Sequence, residues 1–199
     1  MPPKAKYTRE EIIEKALEMT RKNGIDSVVA RELGKELGTS SSPIFTAFKN
    51  MEEVQQEIRK AAMREFEEYV RDALKYTPAF KYVGMRMIEF AMNEPKLFQL
   101  LYMREHDEKQ TYEMLIDELG ETVQVCIDVI EKDYALTTEE AWLLFRQVWL
   151  NTFGICALAA GRVCHFTTQE ISEMLTMGFR GALMVIKSGN LQAEQIKEK

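Results

Sequence analysis

Between Leu37 and Lys49 the chain carries no Asp or Glu, although the whole protein is acidic. Within that window stand Thr39, Ser40, Ser41, Ser42 and Thr46, spaced around Pro43, Ile44 and Phe48. Hydroxyls, basic side chains and helix N-terminal N–H groups are what contact phosphate oxygens and base edges in nucleic acids. A carboxylate on such a face would meet phosphates from within about a Debye length, 8–10 Å, and be repelled with little screening. Read as a short helix from about Ser40 to Ala47, the segment turns Ile44 and Phe48 inward. Ser41, Ser42 and Thr46 then lie toward base edges, and Ser27, Arg31, Ser40 and Lys49 toward phosphates. A polar turn that merely caps an ordinary helix would carry the same residues.

Other chemistry finds less support. The two histidines, His106 and His165, are far apart, and no CxxC or Cys/His cluster suggests a metal. Acidic neighbours such as Glu52/Glu53 and Glu67/Glu68 diverge by about 100° on a helix and read as solvated faces. No convergent acid–base or nucleophile set emerges. The expectation is a protein that is not an enzyme and uses no cofactor. Cys126, Cys156 and Cys164 are odd in number and sit in apolar patterns, as reduced thiols of a cytoplasmic protein would.

Charge is uneven. Residues 1–50 hold nine Lys or Arg against seven Asp or Glu, whereas the rest is strongly acidic, for a net −6. A mildly basic head on an acidic body suits an anionic partner at the N-terminal end. The start, MPPKAKYTREE, lacks a signal peptide's apolar core. The longest apolar-rich stretch, between Arg146 and Arg162, would span roughly 22 Å as a helix, short of a bilayer core of about 30 Å. No membrane partner is expected.

The elements that must position these groups are all helices. Thr8/Glu11, Thr137/Glu140 and Thr167/Glu170 each match the S/T-x-x-E capping box ahead of an apolar helical period. Helices are expected at about 9–23, 28–37, 40–47, 51–76, 78–92, 95–103, 109–132, 138–162 and 168–187, about nine in total, with Gly24 and Gly38 as stops. The fold class is all-α. A three-helix helix-turn-helix head at 1–50 precedes a larger helical domain at 51–199 for effector binding and dimerisation.

Residues 9–54 resemble the DNA-binding head of the tetracycline-repressor-like (TetR) family. Gly24, Leu33, Gly34, Gly38, Ser40, Ile44, Phe45, Phe48, Glu52 and Val54 fall at that head's positions without insertion or deletion. The resemblance implies a homodimer that binds a palindromic operator in double-stranded DNA. It adds Val28, Thr39, Pro43 and Phe45 to the DNA-facing set. Val28 stands where a phosphate-contacting threonine is frequent, Phe45 where tyrosine is usual, Met51 at a common lysine, and Ser42–Pro43 at a frequent Gly-Thr. Each departure removes a possible phosphate contact and shifts weight to Arg9, Arg31, Lys49, Lys4 and Lys6.

In the body, small residues at four-residue spacing, Ala157/Gly161 and Gly178/Ala182, let helix axes approach closely. With Leu175 and Val185 they are expected to form a two-fold helical interface, or else an intramolecular core. Met85, Ile88, Met92, Phe98, Tyr102, Tyr112, Trp142, Phe145, Trp149 and Phe153 make a soft, aromatic set. It suits a pocket for a small apolar or amphipathic effector, with Asn151, Gln147, Tyr102 and Tyr112 as polar groups, and equally suits plain core packing. The function expected is a repressor released from DNA when the effector fills the pocket and the helix after Met51 tilts. A helical adaptor that binds protein and no DNA is the alternative.

Overall fold

Thr8 opens the first helix as the sequence requires. Its hydroxyl accepts from Glu11 N at 3.1 Å and the Glu11 carboxylate accepts from Thr8 N at 2.7 Å. The same reciprocal pair caps two later helices at Thr137/Glu140 and Thr167/Glu170. The structure is a computed structural model that describes residues 7–104, 111–117, 119 and 121–189. Lys4, Lys6, His106 and the expected helix start at Lys109 lie outside the described residues. Among the described residues there are ten α-helices and no strand: α1 (Arg9–Asn23), α2 (Ala30–Glu36), α3 (Ser42–Ala47), α4 (Met51–Arg71), α5 (Ala79–Asn93), α6 (Pro95–Tyr102), α7 (Tyr112–Asp117), α8 (Glu121–Tyr134), α9 (Thr138–Ala160) and α10 (Thr168–Lys187). The fold is all-α.

Where one helix is expected over 109–132, the described residues form two, α7 and α8. The expected helix over 51–76 ends at Arg71 and finishes as a 3-10 turn, Asp72–Lys75.

The chain divides into two compact units. The first holds Met1–Glu68 and Asn93–Arg104, the second Tyr69–Met92 and Glu105–Lys199. The packing boundary therefore falls inside α4 rather than at residue 50. The reason is burial: Val54, Ile58, Ala62 and Phe66 of α4 join the core of the first unit. α6 belongs to it too. It packs on α1, and Phe98 and Tyr102 meet at 5.1 Å while Tyr102 meets Phe66 edge-on at 5.3 Å. Arg21 of α1 ties the arrangement with ion pairs to Glu65 and, at 2.9 Å, to Glu94.

In the second unit α9 packs against both α8 and α10. At 23 residues α9 spans about 35 Å, because it extends N-terminally beyond the apolar stretch between Arg146 and Arg162 to take in Glu139, Glu140 and Arg146. Packing accounts for its apolar character: Leu144, Phe145, Val148, Trp149, Ile155 and Cys156 are all buried within the unit.

Candidate functional site

The first candidate surface is the α2–turn–α3 segment. Gly38 stops α2 with φ +66°, a left-handed conformation that side chains resist. Thr39 N donates to the Gly34 carbonyl at 2.8 Å and closes the turn. Gly34 is required for a different reason. A Cβ there would lie 2.8 Å from the Ser40 carbonyl carbon and 3.0 Å from Ser41 N, so the strand of backbone leading into α3 rests directly on α2. Ile44 and Phe48 are buried and set the rotation of α3. Their burial turns Ser42, Phe45 and Thr46 outward, and Phe45 is 49% exposed. Tyr7 donates its phenolic hydrogen to the Leu37 carbonyl and holds the chain start against the end of α2.

The hydroxyls are partly engaged. Thr46 Oγ1 donates to the Ser42 carbonyl at 3.0 Å and leaves lone pairs and a methyl facing out. Ser27 Oγ donates to the Gly24 carbonyl at 2.7 Å, and Ser40 Oγ accepts from Ser42 N at 3.4 Å. Thr39, Ser41 and Pro43 are half-buried. Lys49 is exposed; its backbone N–H donates to Glu53 at 2.7 Å. Val28 differs from expectation. It is 1% exposed, an apolar core residue with no surface to offer a partner. Arg9 differs as well: its guanidinium is held by the Ala47 carbonyl and Glu53, 4.1 Å above the Phe48 ring. It clamps α1 to the α3–α4 junction. The Lys49 N–H first, then Arg9, holds the Glu53 carboxyl below its ordinary range.

Beside α3 a shallow concavity is lined by Arg31, Glu32, Lys35, Gly38, Thr39, Ser40 and Ser41. Arg31 and Lys35 are almost fully solvated, with Glu32 only at 3.9 and 4.0 Å. Lys35 was not singled out from the sequence. Its signal is the four-residue spacing from Arg31, which puts both cations on one face of α2.

The second candidate site is a partly open cavity of about 430 Å3 within the second unit, in the size range of small-molecule pockets. α5 contributes Phe80, Lys81, Val83, Gly84 and Met87, and α8 ends on it with Tyr134. α9 adds Phe145, Val148, Trp149 and Thr152, and α10 adds Leu175, Thr176, Phe179, Arg180 and Leu183. Aromatic rings dominate the wall: Tyr134 and Phe179 lie 4.8 Å apart, and Phe80 meets Phe145 at 6.0 Å and Phe179 at 6.1 Å. Gly84 keeps the space open. It sits mid-helix, where glycine costs about 0.5–1 kcal/mol relative to alanine, and a Cβ there would find Leu175 and Thr152 at an ordinary 3.5–3.6 Å.

Polar groups are few. Lys81 Nζ donates to Ser172 Oγ at 2.8 Å and to Thr176 Oγ1 at 3.1 Å. Thr152 Oγ1 is buried and donates to the Val148 carbonyl. The Trp149 indole N–H is buried without a hydrogen-bond partner among the described residues.

Of the residues expected in a pocket, Phe145 and Trp149 line the cavity and the others do not. Phe98 and Tyr102 are core residues of the first unit. Met92 is 41% exposed, and Ile88 is fully buried in packing. Met85 is one residue past Gly84, about 100° round α5 from the cavity face, where Met87 stands instead. Trp142, Tyr112 and Phe153 pack behind the wall: Trp142 edge-on to Phe145, Tyr112 and Phe153 against Trp149 at 5.9 and 5.2 Å. Tyr112 donates its hydroxyl to the Arg146 carbonyl at 2.7 Å. Asn151 and Gln147 are exposed. Lys81 was missed; its signal is a cation set between Phe80 and Tyr82 in a largely apolar helix.

The small residues of α9 and α10 serve two ends. Gly178 lies against Asn151, whose Nδ2 would be 2.5 Å from an added Cβ. Ala157 and Ala182 are half-buried, Gly161 exposed, and Val185 44% exposed. Leu175 departs from expectation: it is 4% exposed and belongs to the cavity wall, so it has no outward face to give an interface. The outward apolar residues are instead Leu150, Leu158, Met177 and Met184, with Gly154 and Gly181 between them and open space around both glycines.

A family model described as "Tetracyclin repressor-like, C-terminal domain" matches residues 80–180. Among solved structures, a protein with unknown function from Rhodococcus sp. RHA1 is similar in fold, with a TM-score of 0.67 at 16% identity, covering 92% of this chain and 97% of that one. No curated protein matches the chain.

Proposed function

The chain belongs to the tetracycline-repressor-like family of regulators, and from that premise we propose that it binds double-stranded DNA as a homodimer at a palindromic operator. The observation that carries this reading is the outward face of α3. Ile44 and Phe48 are buried beneath it, and Ser42, Phe45 and Thr46 stand out from it with no carboxylate among them. A helix so presented suits the major groove, with Thr46 and Ser42 at base edges and the Phe45 ring against sugar or a thymine methyl. Arg31, Lys35 and Lys49 supply phosphate contacts, and counterion release then makes affinity fall steeply with salt.

Two heads need a shared body. The outward residues Leu150, Leu158, Met177 and Met184 support a two-fold pairing of α9 and α10 with their copies. The role proposed is repression, relieved when an effector occupies the cavity and favours a head spacing that no longer fits successive grooves. An effector shifts that balance only by its differential affinity for the two states. The setting proposed is the cytoplasm.

The test is gel-shift binding to DNA flanking the protein's own gene across a salt series. Ser42→Ala and Thr46→Ala should change operator preference without unfolding, whereas Ile44→Asp should unfold the head by burying an unpaired charge. Unchanged sequence preference in both hydroxyl variants would remove the base-reading assignment. Binding indifferent to salt, or absent for every duplex, would favour a protein-binding adaptor. Met177→Asp with Leu158→Asp should yield a monomer by sedimentation; an unchanged dimer would place the interface elsewhere.

A further inference from the structure

We infer that the cavity ligand is an amphipathic acid whose carboxylate is held by Lys81 and Arg180 while its apolar body lies among the Phe80, Phe145 and Phe179 rings; this rests on the reading of the cavity as an effector site.

Among the described residues the cavity wall holds two cations and no Asp or Glu, although residues 51–199 carry 25 acids against 17 bases. In an acidic unit that exclusion is local and selects against cationic ligands. Lys81 is half-buried, and among the described residues its ammonium donates hydrogen bonds to the hydroxyls of Ser172 and Thr176. Among the described residues neither Lys81 nor Arg180 pairs with a carboxylate. A lysine held by neutral acceptors in a largely apolar wall lacks a counter-charge that an anionic ligand could supply.

The donor inventory fits a carboxylate. An ammonium has three N–H donors, of which two are spent on hydroxyls. Ser172, which stands outside the cavity lining, accepts from Lys81 through Oγ and helps to hold the ammonium in place. Thr176 has spent its hydrogen on the Ser172 carbonyl at 2.6 Å and serves to hold the lysine in place. Arg180, exposed at the edge of the same lining, offers a planar fork of donors that matches a carboxylate in two-point geometry. The rest of the wall is hydrocarbon and aromatic and suits an alkyl or aryl body.

The probes are decanoate, decanol and decyltrimethylammonium, each below its micellar concentration, titrated calorimetrically into the full chain. Decanoate is expected to bind at least about 10-fold tighter than decanol, as charge-assisted hydrogen bonds imply, and the ammonium amphiphile weakest. Lys81→Met should remove most of that preference while decanol binding persists, Lys81→Arg should retain it, and Arg180→Met should weaken decanoate by a smaller factor. Equal binding of decanoate and decanol, or a preference untouched by Lys81→Met, would overturn the carboxylate assignment and leave the cavity an apolar effector site. No binding by any of the three to the parent, or binding that persists unchanged in Gly84→Leu, would overturn the effector-site reading and this inference with it.

Discussion

Gly34→Ala tests the geometry of the head most directly. Helix propensity alone predicts a gain: alanine is favoured over glycine by about 0.8–1 kcal/mol in a helix interior. The structure predicts the opposite. The added methyl would lie 2.8 and 2.9 Å from the carbon and oxygen of the Ser40 carbonyl and 3.0 Å from Ser41 N. These atoms are backbone, so no rotamer change can make room, and the lead-in to α3 must move. Overpacking of this kind costs about 1–3 kcal/mol, which cancels or outweighs the propensity gain and leaves a net loss of up to about 2 kcal/mol. For a chain of this size that lowers Tm by up to roughly 8 °C. Gly84→Ala is the internal control, because its methyl meets Leu175 and Thr152 at 3.5–3.6 Å and should raise stability by about 0.5–1 kcal/mol. Thermal melts of the two variants beside the parent decide the matter. A Gly34→Ala protein as stable as Gly84→Ala would show that α3 does not rest on α2 as described.

Gly84→Leu should fill the cavity and abolish amphiphile binding with little change in the melt, read by calorimetry. Glu53 links the head to pH: its folded pKa is depressed, so its stabilisation is present above the ordinary carboxyl value of 4.5 and is lost as pH falls through the folded value. The stability gap between the parent and Glu53→Gln should therefore be full at neutral pH and close in acid, measured by urea unfolding at a series of pH values. Burial pushes the Cys126 thiol up to about 12 and Cys156 further still. In the native protein at pH 8, iodoacetamide should label neither, while the half-buried Cys164 reacts first.

Much of the secondary structure was legible because its causes are local. A capping box needs only a hydroxyl and a carboxylate three residues apart, and all three sequence matches form one. Gly24 and Gly38 end their helices with positive φ, as a residue without Cβ permits. The phase of α3 follows from Ile44 and Phe48 alone. What misled was composition read without neighbours. Phe98 and Tyr102 look like pocket residues by type, yet α6 folds back onto α1 and makes them core of the other unit. Val28 occupies a position suited to a phosphate contact, yet it is buried.

The residues themselves determined an all-α chain with a helix-turn-helix-like head, because capping, periodicity and glycine stops act within one or two helical turns. The identity of the cavity wall was decided only in three dimensions. Lys81 meets Ser172 and Thr176 across 91 and 95 residues, and the cavity beside that contact is walled by α5, α8, α9 and α10. No local rule sets which faces of distant helices meet. That choice belongs to the packing of the whole unit, where burying Leu175 toward Gly84 leaves Leu158 and Met177 facing out.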